Sequence, residues 1–208
     1  MESELFTLID FLGTAAFSIS GVFAAMKKKL DIFGTFTIAF ITAIGGGTIR
    51  DAIIGDFPVT WLRSNIYIIV IFLSATIALL IFKFIKDFDR MLLVFDSIGL
   101  GFFTVLGIHK GIEFNFSEGW CIALGTLTAC FGGMIRDLVL NQMPHILHKQ
   151  IYATACIFGG ILYFILLKTT IPEVPVVAIC ISLIVLVRLI ALKYNWSLAG
   201  IYRSYKKE

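Results

Sequence analysis

The sequence predicts an all-α polytopic membrane protein, with seven transmembrane helices arranged as an inverted 3+3 repeat plus one, and with kinked helices 2 and 5. Its 208 residues are 59% hydrophobic and 15% charged, whereas charged residues make up roughly 25% of an average soluble domain. The hydrophobic residues fall into seven runs, and the first six runs form two similar halves. Adjacent glycines followed by charged residues interrupt the second run of each half.

Each hydrophobic run is predicted to be one membrane span. The predicted spans are Leu5–Met26, Ile32–Ile54, Asn65–Ile85, Met91–Ile108, Gly119–Leu140, Ile151–Leu167 and Val174–Leu192. A spanning helix needs about 20 mostly apolar residues, so seven of them leave little chain for a domain outside the membrane. The runs are apolar all the way round a helix and do not alternate with polar residues, which excludes soluble amphipathic helices and β-barrel strands.

Positive charges predict how the chain is oriented in the membrane. Lysine and arginine are concentrated in the links after spans 1, 3 and 5 and in the C-terminal tail, whereas the other side carries Arg63, Lys110 and Lys168. Cytoplasmic loops of membrane proteins carry such an excess. We therefore expect a multi-pass protein of the cell inner (plasma) membrane, with the N-terminus outside and the C-terminus cytoplasmic. The net charge of +3 does not predict a nucleic-acid partner.

The two similar halves are related by an offset of 86 residues without a gap. Twelve of the 49 positions from 10 to 58 are identical to their counterparts from 96 to 144. We expect a single membrane domain over 1–208, with repeat one at 5–85, repeat two at 91–168, and an extra seventh helix with a basic tail at 172–208. Because each half holds three spans, the second half enters the membrane inverted, as in many transport proteins.

Glycine clusters occupy equivalent places in the second and fifth spans. They are Gly45, Gly46, Gly47, Gly132 and Gly133. Each glycine costs a helix roughly 0.8–1.0 kcal/mol relative to alanine, and adjacent glycines are kink sites. Small residues also allow close helix packing, so both interpretations are open. The charges that follow favour helices that bend and unwind beside a polar cavity, where their backbone carbonyls are freed.

Three charged residues recur in each half, one in its first span and two shortly after the glycines of its second span. They are Asp10, Arg50, Asp51, Asp96, Arg136 and Asp137. A charge deep in lipid costs about 2.5–3.5 kcal/mol, so these residues need a polar environment. Counting helix rise from the membrane faces predicts the ion pairs Asp10–Arg50 and Asp96–Arg136. The charges either hold the broken helices in place or line and gate an ion path, one group at each mouth.

Other polar residues add less specific signals. Thr42, Thr48 and Thr128 either supply an oxygen to a passing cation or bond to their own helix backbone. The aromatic belts at the membrane interfaces are expected to contain Trp61, Trp120, Trp196, Tyr67, Tyr152, Tyr194 and Tyr202. The sequence holds no Ser/His/Asp set, no phosphate loop and no His/Glu cluster, so we expect no enzyme activity, no cofactor and no metal site.

The segments G-G-G-T-I-R-D at 45–51 and F-G-G-M-I-R-D at 131–137, placed in seven spans, resemble the prokaryotic branch of the trimeric intracellular cation (TRIC) channels. The resemblance implies a homotrimer that conducts monovalent cations, chiefly potassium and also sodium, through a pore within each subunit. It places that pore between helices 2 and 5, with the glycine clusters at the bends and the Arg-Asp pairs after them. The expected partners are therefore further copies of the chain, potassium or sodium ions and membrane lipids. Phe131 replaces the first glycine of the second triplet, so we expect a less sharp second bend.

Two other functions stay open. The same repeat has been labelled a glycine-transporter domain, which makes a secondary transporter of a small amino acid such as glycine the alternative, with Arg50 or Arg136 pairing with the substrate carboxylate. A membrane scaffold without transport activity is the third possibility. A water-accessible cavity between spans 2 and 5 that meets both arginines would favour conduction.

Overall fold

Seven α-helices and three short 3₁₀ helices make up the regular structure of the described residues, which are 2–85, 87–147 and 151–194 of this computed structural model. The α-helices are α1 (Glu2–Lys27), α2 (Ile32–Ile54), α3 (Ile66–Ile81), α4 (Phe88–Glu113), α5 (Glu118–Val139), α6 (Ala153–Leu167) and α7 (Glu173–Lys193). The described part contains no strand. The predicted all-α fold with seven helices is thus confirmed, and the predicted basic tail beyond residue 194 lies outside the described residues.

The helices differ in length in a way that follows the repeat. Five are long and apolar enough to cross a membrane, namely α1, α2, α4, α5 and α7. In contrast, α3 has 16 residues and α6 has 15, so at about 1.5 Å per residue they are shorter than the roughly 30 Å hydrocarbon core. Each is the third helix of its repeat. Short apolar helices are accommodated by local thinning of the bilayer or by neighbouring helices.

The ends of the helices repeat with the same offset as the sequence. Four described residues have a left-handed backbone: Lys29, Gly55, Asn115 and Asn141. They form two pairs that are each 86 residues apart in the chain. After α2 the Asp56 amide donates to the Asp51 carbonyl at 2.9 Å, and after α5 the Gln142 amide donates to the Asp137 carbonyl at 2.8 Å. The backbone therefore ends equivalent helices in the same manner in both halves.

The two halves lie upside down relative to each other. Lys27, at the end of α1, contacts Asp89 at the start of α4 at 2.6 Å, and Lys110, near the end of α4, contacts Asp56 after α2 at 3.0 Å. Since α1 and α4 are equivalent helices, their antiparallel course makes the repeat inverted, as predicted. We call the two ends of the bundle the Asp10 end, where α1 begins, and the Asp96 end, where α4 begins.

The centre of the bundle is formed by α1, α2, α4 and α5. Phe17 of α1 and Phe103 of α4 are counterparts in the repeat, and their buried rings stack at 5.2 Å between centroids. Their meeting marks the place where the two inverted halves face each other. In contrast, α3 and α6 expose large apolar side chains such as Leu80 and Phe158, as expected for helices facing lipid.

Candidate functional site

The glycine clusters bring α2 and α5 into very close contact. A side-chain carbon at Gly46 would overlap the Thr128 carbonyl, and one at Gly132 would lie 2.7 Å from the Thr42 carbonyl oxygen. Both helices run continuously through their glycines, over Ile32–Ile54 and Glu118–Val139. The prediction that the helices unwind here is therefore wrong, because the glycines serve close packing and leave the helical hydrogen bonds in place. A bend within these continuous helices stays a prediction.

The remaining glycines of the clusters differ in the space around them. A side-chain carbon at Gly45 would lie 2.9 Å from the Ile135 side chain, and one at Gly133 would lie 2.9 Å from the Tyr152 hydroxyl and 3.0 Å from the Asp96 carboxylate. At Gly47 the nearest atom is the Arg50 guanidinium, at 3.9 Å. Gly47 therefore has room for a larger residue, and at Gly45 the tip of the Ile135 side chain would have to move, whereas Gly46 and Gly132 face backbone carbonyls.

The three threonine hydroxyls bond to their own helices. Thr42 and Thr128 each donate at 2.6 Å to the carbonyl four residues earlier, and both side chains are buried. Thr48 donates to the Ile44 carbonyl at 2.8 Å and accepts a hydrogen bond from the Trp61 indole at 3.1 Å. Of the two interpretations of these residues, the structure favours the backbone-bonded one.

At the Asp96 end, Arg136 is the centre of a buried cluster. Its Nη1 donates to Asp96 Oδ1 at 2.8 Å and to Ser20 Oγ at 2.7 Å, and its Nε donates to Asp137 Oδ1 at 2.8 Å. Arg136 and Asp96 are both 0% exposed. The predicted Asp96–Arg136 ion pair is confirmed. One atom of each partner, Arg136 Nη2 and Asp96 Oδ2, has no hydrogen-bond partner among the described residues.

At the Asp10 end, the equivalent arginine has different partners. Arg50 Nε donates to Asp51 Oδ1 at 2.8 Å, and its Nη2 donates to the Thr60 hydroxyl at 3.1 Å. Asp10 instead accepts a hydrogen bond from the Tyr67 hydroxyl at 2.7 Å. The predicted Asp10–Arg50 ion pair is wrong. Arg50 instead pairs with the carboxylate of the next residue, Asp51, and Asp10 accepts its hydrogen bond from Tyr67.

A small cavity joins the residues of the Asp10 end. It has a volume of about 20 Å³ and is lined by Asp10, Arg50, Asp51, Tyr67 and Phe103, among others. That volume holds about one water molecule. The cavity meets Arg50, whereas Arg136 is sealed from solvent. Among the described residues, the expected solvent-open cavity therefore does not reach both arginines, and the α2–α5 crossing and the Phe17–Phe103 stack occupy the centre of the bundle.

Two tyrosines belong to these clusters and were misplaced by the sequence analysis. Tyr67 and Tyr152 are only 8% and 2% exposed, so neither lies in an interfacial belt. They follow Pro58 and Pro144, the counterparts in the repeat, by nine and eight residues. This near-equivalence is the signal that could have assigned them to the two clusters.

Arg188 is a further residue that the sequence analysis missed. It lies on α7 and is 0% exposed. Its Nη1 donates to the Ile151 carbonyl at 2.7 Å, and its guanidinium lies over the Tyr152 ring, 4.4 Å from the centroid. A single arginine in an otherwise apolar run was the only signal for it.

Comparison with protein families gives a match over most of the chain. The family model described as "Glycine transporter" matches residues 7–83 and 93–168. A UPF0126 membrane protein of Vibrio cholerae is 40% identical over 164 residues, which are 78% of this chain and 69% of the relative. The UPF0126 inner membrane protein YadS of Escherichia coli K12 is 39% identical over 158 residues, which are 74% of this chain and 75% of the relative.

Solved structures give equally extensive matches. The TRIC trimeric intracellular cation channel orthologue from Rhodobacter sphaeroides superimposes with a TM-score of 0.87 and 30% identity, covering 92% of this chain and 98% of the other. A prokaryotic TRIC channel crystallised in 0.5 M KCl gives a TM-score of 0.87 with 27% identity, covering 94% of this chain and 100% of the other. The structures that this chain resembles are thus those of channels and not of enzymes.

Proposed function

We propose that this chain, which belongs to the prokaryotic branch of the TRIC channel family, is a passive channel for monovalent cations, chiefly potassium. Three copies form a homotrimer, and each copy has its own pore along the crossing of α2 and α5. Membership of the family places the protein in a membrane, and its apolar helices agree with this. The charged clusters at the Asp10 and Asp96 ends are the two mouths of the pore.

The observation that carries this proposal is the inverted pair of charged clusters, one formed by α1 and α2 and the other by α4 and α5. Each cluster combines two carboxylates with one guanidinium: Asp10 and Asp51 with Arg50, and Asp96 and Asp137 with Arg136. Ionisable residues at membrane depth usually mark ion pathways. The formal excess of negative charge at the Asp10 mouth favours cations over anions.

The described conformation is the closed state of such a pore. Phe17 lies seven residues from Asp10, and Phe103 lies seven residues from Asp96, so each ring is about 10 Å from its mouth along the helix. The stacked rings separate the two charged clusters with an apolar barrier, and such constrictions gate ion flow by excluding water. Conduction therefore requires the rings, and with them α2 and α5, to move apart.

Oxygen atoms at the crossing would meet an ion once the helices part. The Thr42 and Thr128 carbonyls each face a glycine of the opposite helix. Carbonyl oxygens replace part of the hydration shell of potassium in other channels. In this proposal the glycines act by letting two helices close and reopen without side chains in the way.

A glycine carrier is less well supported by the geometry. It requires a guanidinium free to bind the carboxylate of the amino acid, whereas Arg50 and Arg136 are each held by an aspartate at 2.8 Å. The name of the matching family model is the one observation that favours it. The channel proposal therefore takes precedence.

Recordings from purified protein in a planar lipid bilayer test the proposal. With potassium chloride on both sides we expect unitary current steps, and a potassium gradient should shift the reversal potential towards the potassium equilibrium potential. Saturable glycine uptake into proteoliposomes without unitary currents would overturn the proposal in favour of a carrier. Absence of both would favour a scaffold. The Asp10→Asn variant should reduce the unitary current, whereas the exposed Asp89→Asn variant should not.

A further inference from the structure

The helix that lies outside the repeat reaches the Asp96 end through Arg188. Arg188 is fully buried and points its guanidinium between the start of α6 and the core. Its Nε and Nη2 have no hydrogen-bond partner among the described residues, and no carboxylate of the described part lies within ion-pairing distance of it. A buried arginine without a carboxylate partner is costly, so a packing role for α7 alone does not account for it.

Tyr152 connects Arg188 to the charged cluster. Its ring lies 4.4 Å below the Arg188 guanidinium, which is a favourable cation–π arrangement. Its hydroxyl lies beside Gly133, at the place where a side-chain carbon would be 2.9 Å from the hydroxyl and 3.0 Å from Asp96 Oδ1. Arg188 also holds the backbone next to this ring through the Ile151 carbonyl. Tyr152 therefore contacts Arg188 of α7 with its ring and has its hydroxyl close to the Asp96 carboxylate, with Gly133 beside both.

The Asp10 end has no equivalent of this path. Tyr67 donates to Asp10 at 2.7 Å, and its ring contacts Phe11 edge-on at 5.2 Å. No cation–π contact to Tyr67 is seen in the described part of the chain. Because α7 lies outside the repeat, its contact with Tyr152 has no counterpart at the Asp10 end. Arg188 also adds a positive charge near the Asp96 end, where two carboxylates, Asp96 and Asp137, surround the single guanidinium of Arg136.

We propose that Arg188 is a positioning residue that holds Tyr152 against the Asp96–Arg136 pair and thereby keeps the Asp96 end of the pore closed. This inference rests on the proposed channel function. Release of Arg188 frees the start of α6 and the Tyr152 ring, which lets the Asp96–Arg136 pair hydrate and separate. The positive charge of Arg188 also lowers the local cation concentration at this mouth.

The test compares single-channel recordings of the wild type, Arg188→Met, Arg188→Lys and Ile184→Ala. Arg188→Met should raise the open probability about fivefold or more, and it should increase current carried by cations entering from the Asp96 end relative to the opposite direction. Arg188→Lys should raise the open probability but leave the ratio of the currents in the two directions as it is in the wild type, because the charge is kept. Ile184 is buried one turn earlier on α7, against Gly159, so Ile184→Ala should lower the melting temperature without either change.

A second variant separates positioning from folding. Tyr152→Leu removes the ring beneath Arg188 and should raise the open probability as Arg188→Met does, and the double variant should show no further rise. If the wild type shows unitary currents but Arg188→Met and Arg188→Lys have an unchanged or reduced open probability, the proposed role of Arg188 is overturned and the channel function is not. If Arg188→Met does not fold, Arg188→Lys and Tyr152→Leu decide the question in the same way. Absence of unitary currents from the wild type would overturn the proposed function and this role with it.

Discussion

Asp96 and Arg136 form an ion pair that is wholly removed from solvent, with 0% of either side chain exposed. Replacing Asp96 removes the carboxylate that pairs with Arg136 Nη1 and leaves that side of the buried guanidinium uncompensated, although Asp137 still pairs with Nε. We expect Asp96→Asn to lower the free energy of unfolding by about 3–5 kcal/mol, measured by thermal unfolding in detergent. Asp89→Asn, which removes an exposed partner of Lys27, should cost less than about 1 kcal/mol. Equal effects of the two changes would contradict the buried ion pair.

Asp56 lies between α2 and the following 3₁₀ helix, where it contacts Arg63 and Lys110. Partial burial opposes its ionisation, but hydrogen bonds and charge interactions from Arg63 and Lys110 outweigh burial, so the pKa of the Asp56 carboxyl is lowered below its ordinary value of 3.8. A lowered pKa in the folded state stabilises the fold above the unfolded-state pKa, and this contribution disappears as the pH falls through the folded-state pKa.

The melting temperature of the wild type should therefore exceed that of Asp56→Asn by a constant amount above about pH 5. Below about pH 4 the difference should shrink, because the wild-type carboxyl becomes protonated. Thermal unfolding of both proteins across this range measures the difference. A gap that widens on acidification would contradict the assigned contacts.

For individual residues, the sequence indicates which charges lie at membrane depth, but it does not indicate the ion-pair or hydrogen-bond partner of each. The Asp96–Arg136 pair follows from helix depth alone, whereas the same reasoning fails for Asp10 and Arg50. Tyr67 bonds to Asp10 and Thr60 bonds to Arg50 instead. Both residues lie in segments whose position depends on the turn after α2. Arg188 and Tyr152 meet across α7 and the start of α6, a contact that no spacing in the chain indicates.

At the scale of the helices, the glycine clusters show how little of a local motif's role is visible in the sequence. Adjacent glycines are compatible with a kink, an unwound turn or a close crossing. Only the position of the facing helix distinguishes these, and here Gly46 meets the Thr128 carbonyl of α5. The offset of 86 residues, in contrast, correctly predicts the inverted halves, because it compares whole helices and their ends.

The crossing of α2 and α5 gives a matched pair of variants. Gly46→Ala forces a methyl group into the Thr128 carbonyl, so we expect a loss of about 1–3 kcal/mol of stability from overpacking. Gly47→Ala has free space around it and should be neutral or stabilise by about 0.5–1 kcal/mol, since alanine favours helix. Thermal unfolding in detergent measures both. A stable Gly46→Ala protein would contradict the close crossing.

At the scale of the whole molecule, two inverted halves meet at a pair of equivalent phenylalanines, and the extra helix acts on one end alone. The pseudo-symmetry places Phe17 and Phe103 midway between the charged clusters. In the proposed channel, Arg188 of the seventh helix makes the two mouths unequal. A channel with equal mouths would conduct equally in both directions, whereas this arrangement predicts a difference between them.

In the proposed channel, the stacked rings of Phe17 and Phe103 form the barrier to ions at the centre of the bundle. Phe17→Ala and Phe103→Ala should each raise the open probability in planar bilayers, because a smaller side chain lets water join the two clusters. Phe23→Ala is the control, since Phe23 is equally buried but packs against Phe88 and Phe95, away from this stack. All three changes should cost about 3–5 kcal/mol of stability, so a general loosening of the fold would affect the recordings of all three alike. A rise in open probability confined to Phe17→Ala and Phe103→Ala would support these rings as the barrier in the ion route, and an equal rise in Phe23→Ala would count against it.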